Sequence, residues 1–476
     1  MTGERMRLAE AWRDLPPEWP QDPRPAIGQT LKQLGEKVVV LDDDPTGTQT
    51  VHGIPVLTEW PVDMLQLELE NDLPAFYILT NSRSMPLAEA KELNRTIAHN
   101  LVAASRRAGR RLAVVSRSDS TLRGHFPGEV EALVEGLGQP PDALLLIPFF
   151  FEGGRYTIRD VHYVTDGEWL IGVGQTEFAQ DPVFGYSSSN LREWVQEKTN
   201  GRVLAGSVHS VSIEDIRLGG PDRVRERLEA LRSSSVCIVN AAGLRDLEVF
   251  TQGLLAAELN GKRYLYRTAA SFVPVRCGLA PHPLLRKEEF ASVETGGLVI
   301  AGSFVPTTTS QIGAALQLCD LTGLELDVGA LLDEDRRAGE IRRVADATNR
   351  LLAGGNDVMV FTSRRLVAVE KPEENLSIGR RISEGLVEVV QSISVRPRYL
   401  VAKGGITASD IATKALHVKR AMVRGQVLPG VPVWELGSES RYPALPYVVF
   451  PGNVGDSAAL ARTVNLWSKC LSPDGA

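Results

Sequence analysis

Short runs that are apolar along their whole length, spaced by longer stretches of helical periodicity, set the narrowest bound on the architecture of this chain. Lys37 to Leu41, Phe76 to Thr80, Leu112 to Ser116, Ala143 to Pro148 and Val236 to Asn240 are the strand candidates of the first half. Leu298 to Ala301, Val358 to Thr362, Tyr399 to Ala402 and Tyr447 to Phe450 repeat the grammar in the second. Helical patterns fill the gaps, most clearly from Leu87 to Ala108, then around Thr309 to Cys319, Arg337 to Leu352 and Leu376 to Val390. A strand that is apolar on both faces must be covered on both faces, which is the condition of a parallel sheet flanked by helices. The expected class is α/β, with mainly parallel sheets covered by helices.

The chain has 476 residues, 43% of them apolar, more than one hydrophobic core usually organises. Two domains are expected, and the stretch Val273 to Gly297, with three prolines, three glycines and the charged run Arg286 to Glu289, is the expected boundary. The division is thus an irregular N-terminal arm over 1–30, an α/β domain over 31–272, a linker over 273–297 and a second α/β domain over 298–476. No fixed-period repeat or low-complexity tract interrupts it. With 52 basic against 59 acidic residues the net charge is −7, so neither nucleic acid nor an anionic membrane is an expected partner. The longest apolar run, Ala143 to Phe151, is broken by Pro148 and too short to span a bilayer. The first thirty residues hold five prolines and no continuous apolar core, unlike a secretory signal. Cys237, Cys277, Cys319 and Cys470 are too widely spaced for a disulfide framework or a zinc site, and the histidines lack HxxxH or HExxH spacing. A soluble cytoplasmic protein without a tightly held transition metal is expected.

Polar, glycine-containing motifs follow the strands directly, where open parallel sheets line a ligand crevice. Asp42-Asp43-Asp44-Pro45-Thr46-Gly47 ends the first strand. Three adjacent carboxylates repel, so the turn either is solvated or meets a cation or a hydroxyl proton. Thr80 to Ser84, including Arg83, follows the second strand, and Ser116 to His125, including Asp119 and Arg123, the third. Arg123 either forks onto a ligand carboxylate or pairs with Asp119 at a capped helix start. Gly153-Gly154-Arg155 is either a plain loop or one whose glycines admit a ligand and whose Arg155 binds an anion. In the second half, Gly404 and Gly405 lead from a strand into a helix for which Thr407 is a candidate cap, a geometry that turns free N–H groups toward an anion such as phosphate. The loops beginning Gly302-Ser303 and Pro451-Gly452-Asn453 have the same character. Neither a Walker P-loop nor a GxGxxG fingerprint after a strand is present.

Taken in order, DDPTG, DSTLRG, GGRYT, RTAASF, AGSFVPTTTSQ, KGGITASDIATKAL and PGNVGD resemble the four-carbon acid sugar kinase family over nearly the whole chain, from about Lys37 to Leu460. The resemblance implies an N-terminal sugar-acid-binding domain, a C-terminal nucleotide-binding domain and an active site in the cleft between them. It also implies ATP-dependent phosphorylation of a tetronate or 3-oxo-tetronate, with Mg2+ bridging the phosphates. On it, Asp44 and then Asp43 are the expected catalytic carboxylates, and Arg83, Asp119, Arg123 and Arg155 the expected sugar-acid contacts. Ser303, Gly404, Gly405, Thr407, Gly452 and Asn453 fall on the nucleotide side, and no metal ligand is assigned. The chain departs from many relatives in having Ile406 after the paired glycines, Arg117 in place of Lys and His125 in place of Asn. The small sugar acid is the expected partner, with the oligomeric state open and a homodimer one form of it. The competing class is a non-catalytic sugar-acid sensor that binds nucleotide.

Overall fold

Each apolar run of the first half becomes a strand of one parallel sheet. The structure is a computed structural model that describes residues 5–232, 234–290, 293–302, 305–364, 372–452 and 454–467, the side chains of 372–377 excepted. Contacts divide the chain into two units, Met1–Ile54 with Glu59–Pro281, and Pro55–Thr58 with His282–Ala476. The first unit holds the strands His209–Val211, Ser235–Val239, Ala143–Ile147, Tyr264–Thr268, Leu112–Arg117, Lys37–Asp42 and Ala75–Leu79, in that spatial order and all parallel. Their side chains are buried almost throughout, as the absence of alternation in the sequence requires. Chain order runs from Lys37–Asp42 to Ala75–Leu79 on one side and then to Leu112–Arg117 on the other. The winding therefore reverses between Lys37–Asp42 and Leu112–Arg117, the place where such sheets open a ligand crevice.

A small antiparallel sheet, Arg5–Arg7, Trp169–Gly172, Val161–Asp166 and Arg155–Ile158, accompanies it. Two expectations are corrected here. Arg155 lies on a strand rather than in a loop, because the glycine pair before it forms the turn that begins a hairpin. The N-terminal arm is not irregular over its described part: Arg5–Arg7 pairs with Trp169–Gly172, and the helices Leu8–Arg13 and Arg24–Leu34 follow. Ile27 and Leu34 bury against Leu255, so the arm is ordered by apolar contacts despite its prolines. Pro25 sits in the first turn of its helix, where no N–H is needed.

The second unit repeats the device with Leu321–Leu326, Asp357–Thr362, Leu298–Ala301, Leu400–Lys403 and Pro446–Phe450 in parallel. Its winding reverses between Leu298–Ala301 and Leu400–Lys403, whose final residues Ala301 and Lys403 are paired in register. Val431–Leu436 and Arg420–Leu428 extend the sheet antiparallel, and the short strand Ile54–Leu57 lies beside Arg420–Leu428. The contact division falls at Pro281 and His282, inside the stretch rich in proline and glycine, but Pro55–Thr58 belongs to the second unit although it lies early in the sequence. Among the described residues no helix is long and apolar enough to cross a membrane.

Candidate functional site

The reversal point of the first sheet carries a cluster of opposite charges. Asp42, the last residue of its strand, is paired in register with Arg117, and the Arg117 Nη1 donates to Asp42 Oδ1 at 3.0 Å. Both are buried, and Gly47 is the reason Asp42 fits. A Cβ at position 47 would stand 2.0 Å from Asp42 Oδ2, so only glycine lets the turn close over that carboxyl. Burial pushes the Asp42 carboxyl up to about 7 against the pull of Arg117. Asp43 accepts from Ser118 Oγ at 2.5 Å and lies 3.8 Å from both Arg83 Nη2 and Arg117 Nη1. Asp44 meets Arg83 Nη2 at 2.6 Å and accepts from the Thr46 N–H at 2.8 Å. Burial raises the Asp44 carboxyl, but Arg83 and the Thr46 N–H outweigh it and hold the group below the usual carboxylate range. The triple acid turn is thus a charge-matched site rather than a solvated loop. Within it the Asp44 side chain is 19% exposed and that of Asp43 is 4%.

Arg83 also reaches Asp119 Oδ1 at 3.6 Å, and Asp119 accepts from Arg123 Nε at 2.7 Å and from the Thr121 hydroxyl. Despite burial, Arg123 and Arg83 keep the Asp119 carboxyl well below its ordinary value. The pairing of Asp119 with Arg123 was one of the two readings open from sequence. The capped helix start was not realised, since the next helix begins at Gly128. Arg155 differs from its neighbours. Its Nε is buried without a hydrogen-bond partner among the described residues, and its guanidinium lies 6.0 Å from the Phe178 ring centroid. Arg123 sits 5.0 Å from the same ring. The structure therefore gathers Asp43, Asp44, Arg83, Asp119 and Arg123 through direct contacts, with Arg155 joined through Phe178.

Several members of this cluster escaped sequence reasoning. Arg267, on the strand Tyr264–Thr268, donates to the Arg123 carbonyl at 3.3 Å and lies 3.9 Å from Glu129. Glu129 is buried and accepts from Ser82. The signal for Arg267 was an arginine inside the run Tyr264 to Thr268, which reads as a buried strand once its charge has a carboxylate to face. Phe178 carried no signal, since a lone aromatic in a loop is indistinguishable from a core residue. Of the unusual positions in this unit, Arg117 is the partner of Asp42, and His125 Nε2 is 2.9 Å from the Met85 carbonyl.

In the second unit, Gly404 adopts φ 113°, a conformation that glycine tolerates and other residues rarely do, and its N–H donates to the Phe450 carbonyl at 2.8 Å. Gly405 opens a six-residue helix, Gly405–Asp410, that runs on as a π-type turn over Ile411–Ala415. Thr407 is buried inside this helix rather than capping it. A Cβ on Gly302 would come within 2.7 Å of its hydroxyl, so the ends of the two reversal-point strands converge there. The Gly452 carbonyl accepts from Thr308 Oγ1 and Lys403 Nζ, each at 3.1 Å. Gly404, Gly405, Thr407 and Gly452 thus lie around one pair of strand ends, whereas Ser303 and Asn453 lie outside the described residues. Among the described residues no group of three or more His, Cys, Asp or Glu is arranged to hold a metal ion.

Comparison with known proteins follows the same division. Residues 38–276 match a family model described as a sugar-binding N-terminal domain, and residues 298–460 one described as a nucleotide-binding C-terminal domain. The chain is 26% identical over 456 residues to a D-erythronate kinase of Heliobacterium modesticaldum, covering 90% of this chain and 96% of that one. It is 27% identical over 375 residues to a 3-oxo-tetronate kinase of Cupriavidus necator, covering 75% and 79%. Solved structures of a Salmonella typhimurium LT2 protein (TM-score 0.66, 16% identity, 90% of this chain and 98% of that one) and a Haemophilus influenzae protein (TM-score 0.60, 18% identity, 90% and 100%) share its fold. Both domain models are matched in order across most of its length, and the chain belongs to the four-carbon acid sugar kinase family.

Proposed function

We propose that this chain is an ATP-dependent kinase that phosphorylates a hydroxyl of a four-carbon sugar acid, a tetronate or 3-oxo-tetronate. The observation that carries the reading is the charge cluster at the first reversal point. It sets an accessible, ionised carboxylate, Asp44, beside arginines of which one, Arg155, forms no ion pair among the described residues. A sugar acid needs both: a guanidinium fork for its carboxylate and an acceptor for its hydroxyl proton.

In this mechanism Arg155 and Arg123 hold the acid's carboxylate, with Phe178 between them excluding water. Asp44 orients the acceptor hydroxyl. As the new O–P bond forms, the bond from the γ-phosphorus to the departing ADP oxygen breaks and the hydroxyl proton passes to Asp44. Phosphoryl transfer runs through a loose transition state, so the base need not be strong but must be ionised and well placed. The pairing with Arg83 meets both needs. Asp43, tied to Ser118 and facing Arg83 and Arg117, positions this frame. The loops around Gly404, Gly405, Thr407 and Gly452 bind the nucleotide, together with Ser303 and Asn453. ATP enters as its magnesium complex, in which the ion offsets phosphate charge. The acidic turn is already charge-matched by Arg83 and Arg117 and does not fit a magnesium ion of its own, so no step is derived through one.

The free, largely buried thiols Cys237, Cys277 and Cys319 fit a protein working in the reducing cytoplasm. The test is ADP release from ATP across a panel of four-carbon sugar acids and their 3-oxo forms. Turnover with at least one acid is expected. Binding of acid and nucleotide without turnover across the whole panel would replace the kinase with the sensor.

A further inference from the structure

Three fully buried donors on two elements converge on one loop of the second unit. Lys403 ends the strand Leu400–Lys403, and Thr308 and Gln311 lie on the helix Pro306–Leu318. Lys403 Nζ donates to the carbonyls of Pro451 and Gly452 and lies 4.2 Å from the Phe450 ring centroid. Its surroundings are costly for a charge, and burial lowers the amine to about 7. Thr308 Oγ1 donates to the Gly452 carbonyl at 3.1 Å. Gln311 Nε2 spans the carbonyls of Val454, Gly455 and Asp456 at 3.0, 3.3 and 2.8 Å.

A buried amine, amide and hydroxyl aimed at the carbonyls of a single turn are more than packing requires, since apolar side chains would fill the same space without desolvating an ammonium. The arrangement has a directional consequence. In a trans peptide the carbonyl and the following N–H point in opposite directions. Drawing the carbonyls of Pro451, Gly452, Val454, Gly455 and Asp456 toward Lys403, Thr308 and Gln311 turns the N–H groups of Gly452, Gly455, Asp456 and Ser457 to the other side. Successive N–H groups presented on one side of a loop form an anion-binding nest.

We propose that Lys403, Thr308 and Gln311 are positioning residues that hold the backbone of Pro451, Gly452 and Val454–Asp456 as a nest for the nucleotide's phosphates. This deepens the kinase reading and rests on the second unit being the part that binds ATP. The three side chains act through the loop backbone and do not touch the phosphates themselves. Their contribution therefore scales with the number of phosphates on the ligand and vanishes for the nucleoside.

The test is calorimetric binding of a non-hydrolysable ATP analogue, ADP and adenosine to the full chain, for the wild type and for Lys403→Met, Gln311→Met and Thr308→Val. The expected result is a tenfold or greater loss of affinity for the triphosphate in Lys403→Met and Gln311→Met. The loss should be smaller for ADP and absent for adenosine, and the KM for the sugar acid should not change. Thr308→Val keeps the shape and removes one donor, and it should show a weaker loss of the same pattern, so it carries the test if the other two variants do not fold. Equal losses for adenosine and the triphosphate, or wild-type affinities in every folded variant, would overturn the nest while leaving the kinase reading intact. A wild type that binds none of the three ligands would instead overturn the ATP reading on which the nest depends.

Discussion

Asp44 and Arg155 do opposite things with their charge, and that difference makes their removal informative. Asp44 is held ionised by Arg83, and Asp44→Asn keeps the shape while removing the proton acceptor. A general base contributes about 10²–10⁴-fold, so kcat is expected to fall within that range while the KM for ATP stays unchanged. Near wild-type kcat would take Asp44 out of the reaction. Arg155 has its Nε unsatisfied and forms no ion pair among the described residues, so its replacement breaks none of those pairs. A charge-assisted fork is worth about 1.5–3 kcal/mol, and Arg155→Ala is therefore expected to raise the KM for the sugar acid by roughly ten- to a hundredfold. The KM for ATP should not move, and a parallel rise in both would assign Arg155 to phosphate. Asp42 gives a pH signature. Its folded carboxyl is raised from the ordinary 3.8 to about 7 by burial, so between those values the folded state holds a proton that the unfolded state has lost. Stability from this group is complete below about pH 3.8 and is lost as pH rises through 7. The thermal midpoint of Asp42→Asn should accordingly fall less between pH 5 and pH 7 than that of the wild type, and identical slopes would mean that Asp42 does not titrate there.

At the scale of elements, the sequence was most legible where burial is two-sided and the run is purely apolar. Strands such as Lys37–Asp42 and Ala143–Ile147 are buried at every position, so their apolar runs needed no pattern to be seen. Leu87–Ala108 was bounded correctly because Pro86 precedes it and Gly109, in the left-handed conformation, stops it. Tyr264–Thr268 was missed although it is buried throughout, because Arg267 and two tyrosines interrupt its apolar run, but two other missed strands are different in kind. Arg420–Leu428 alternates buried and half-buried residues, with Arg424 and Gln426 on the outer face, and two register shifts blur its period of two. Leu321–Leu326 is a sheet edge that exposes Thr322 and Gly323. The charge cluster was legible in its members and not in its partners. Asp43, Asp44, Asp119 and Arg123 stood in polar loops that invited attention. Asp42 and Arg117 were the last residues of apolar strands, and only the parallel register of Lys37–Asp42 with Leu112–Arg117 brings them face to face. Pairing between positions 75 residues apart is a tertiary fact that no local window contains.

At the scale of the whole molecule the chain crosses between its units more often than a linear division allows. It leaves the first unit after Ile54, gives the strand residues Pro55–Thr58 to the second, and returns at Glu59. In the second unit the Thr58 N–H donates to the Lys419 carbonyl at 3.0 Å, and its hydroxyl donates to the Val418 carbonyl. This short strand covers the outer side of Arg420–Leu428, which would otherwise end the sheet with unpaired N–H and carbonyl groups, a template for pairing with another chain. A fragment cut at the apparent linker, residues 282–476, has every loop proposed here to bind the nucleotide but lacks that cover. It is expected to self-associate with rising concentration in sedimentation velocity. The same fragment with residues 53–60 restored through a flexible linker should bind ATP and associate less, because the open edge it leaves is a strand of 4 residues rather than 9. The pair is informative because the two fragments differ in whether the long strand Arg420–Leu428 or the short strand Ile54–Leu57 is left as the open edge. If the bare fragment shows no more association than the restored one, Pro55–Thr58 is dispensable to the second unit and the linear division at Pro281 is sufficient.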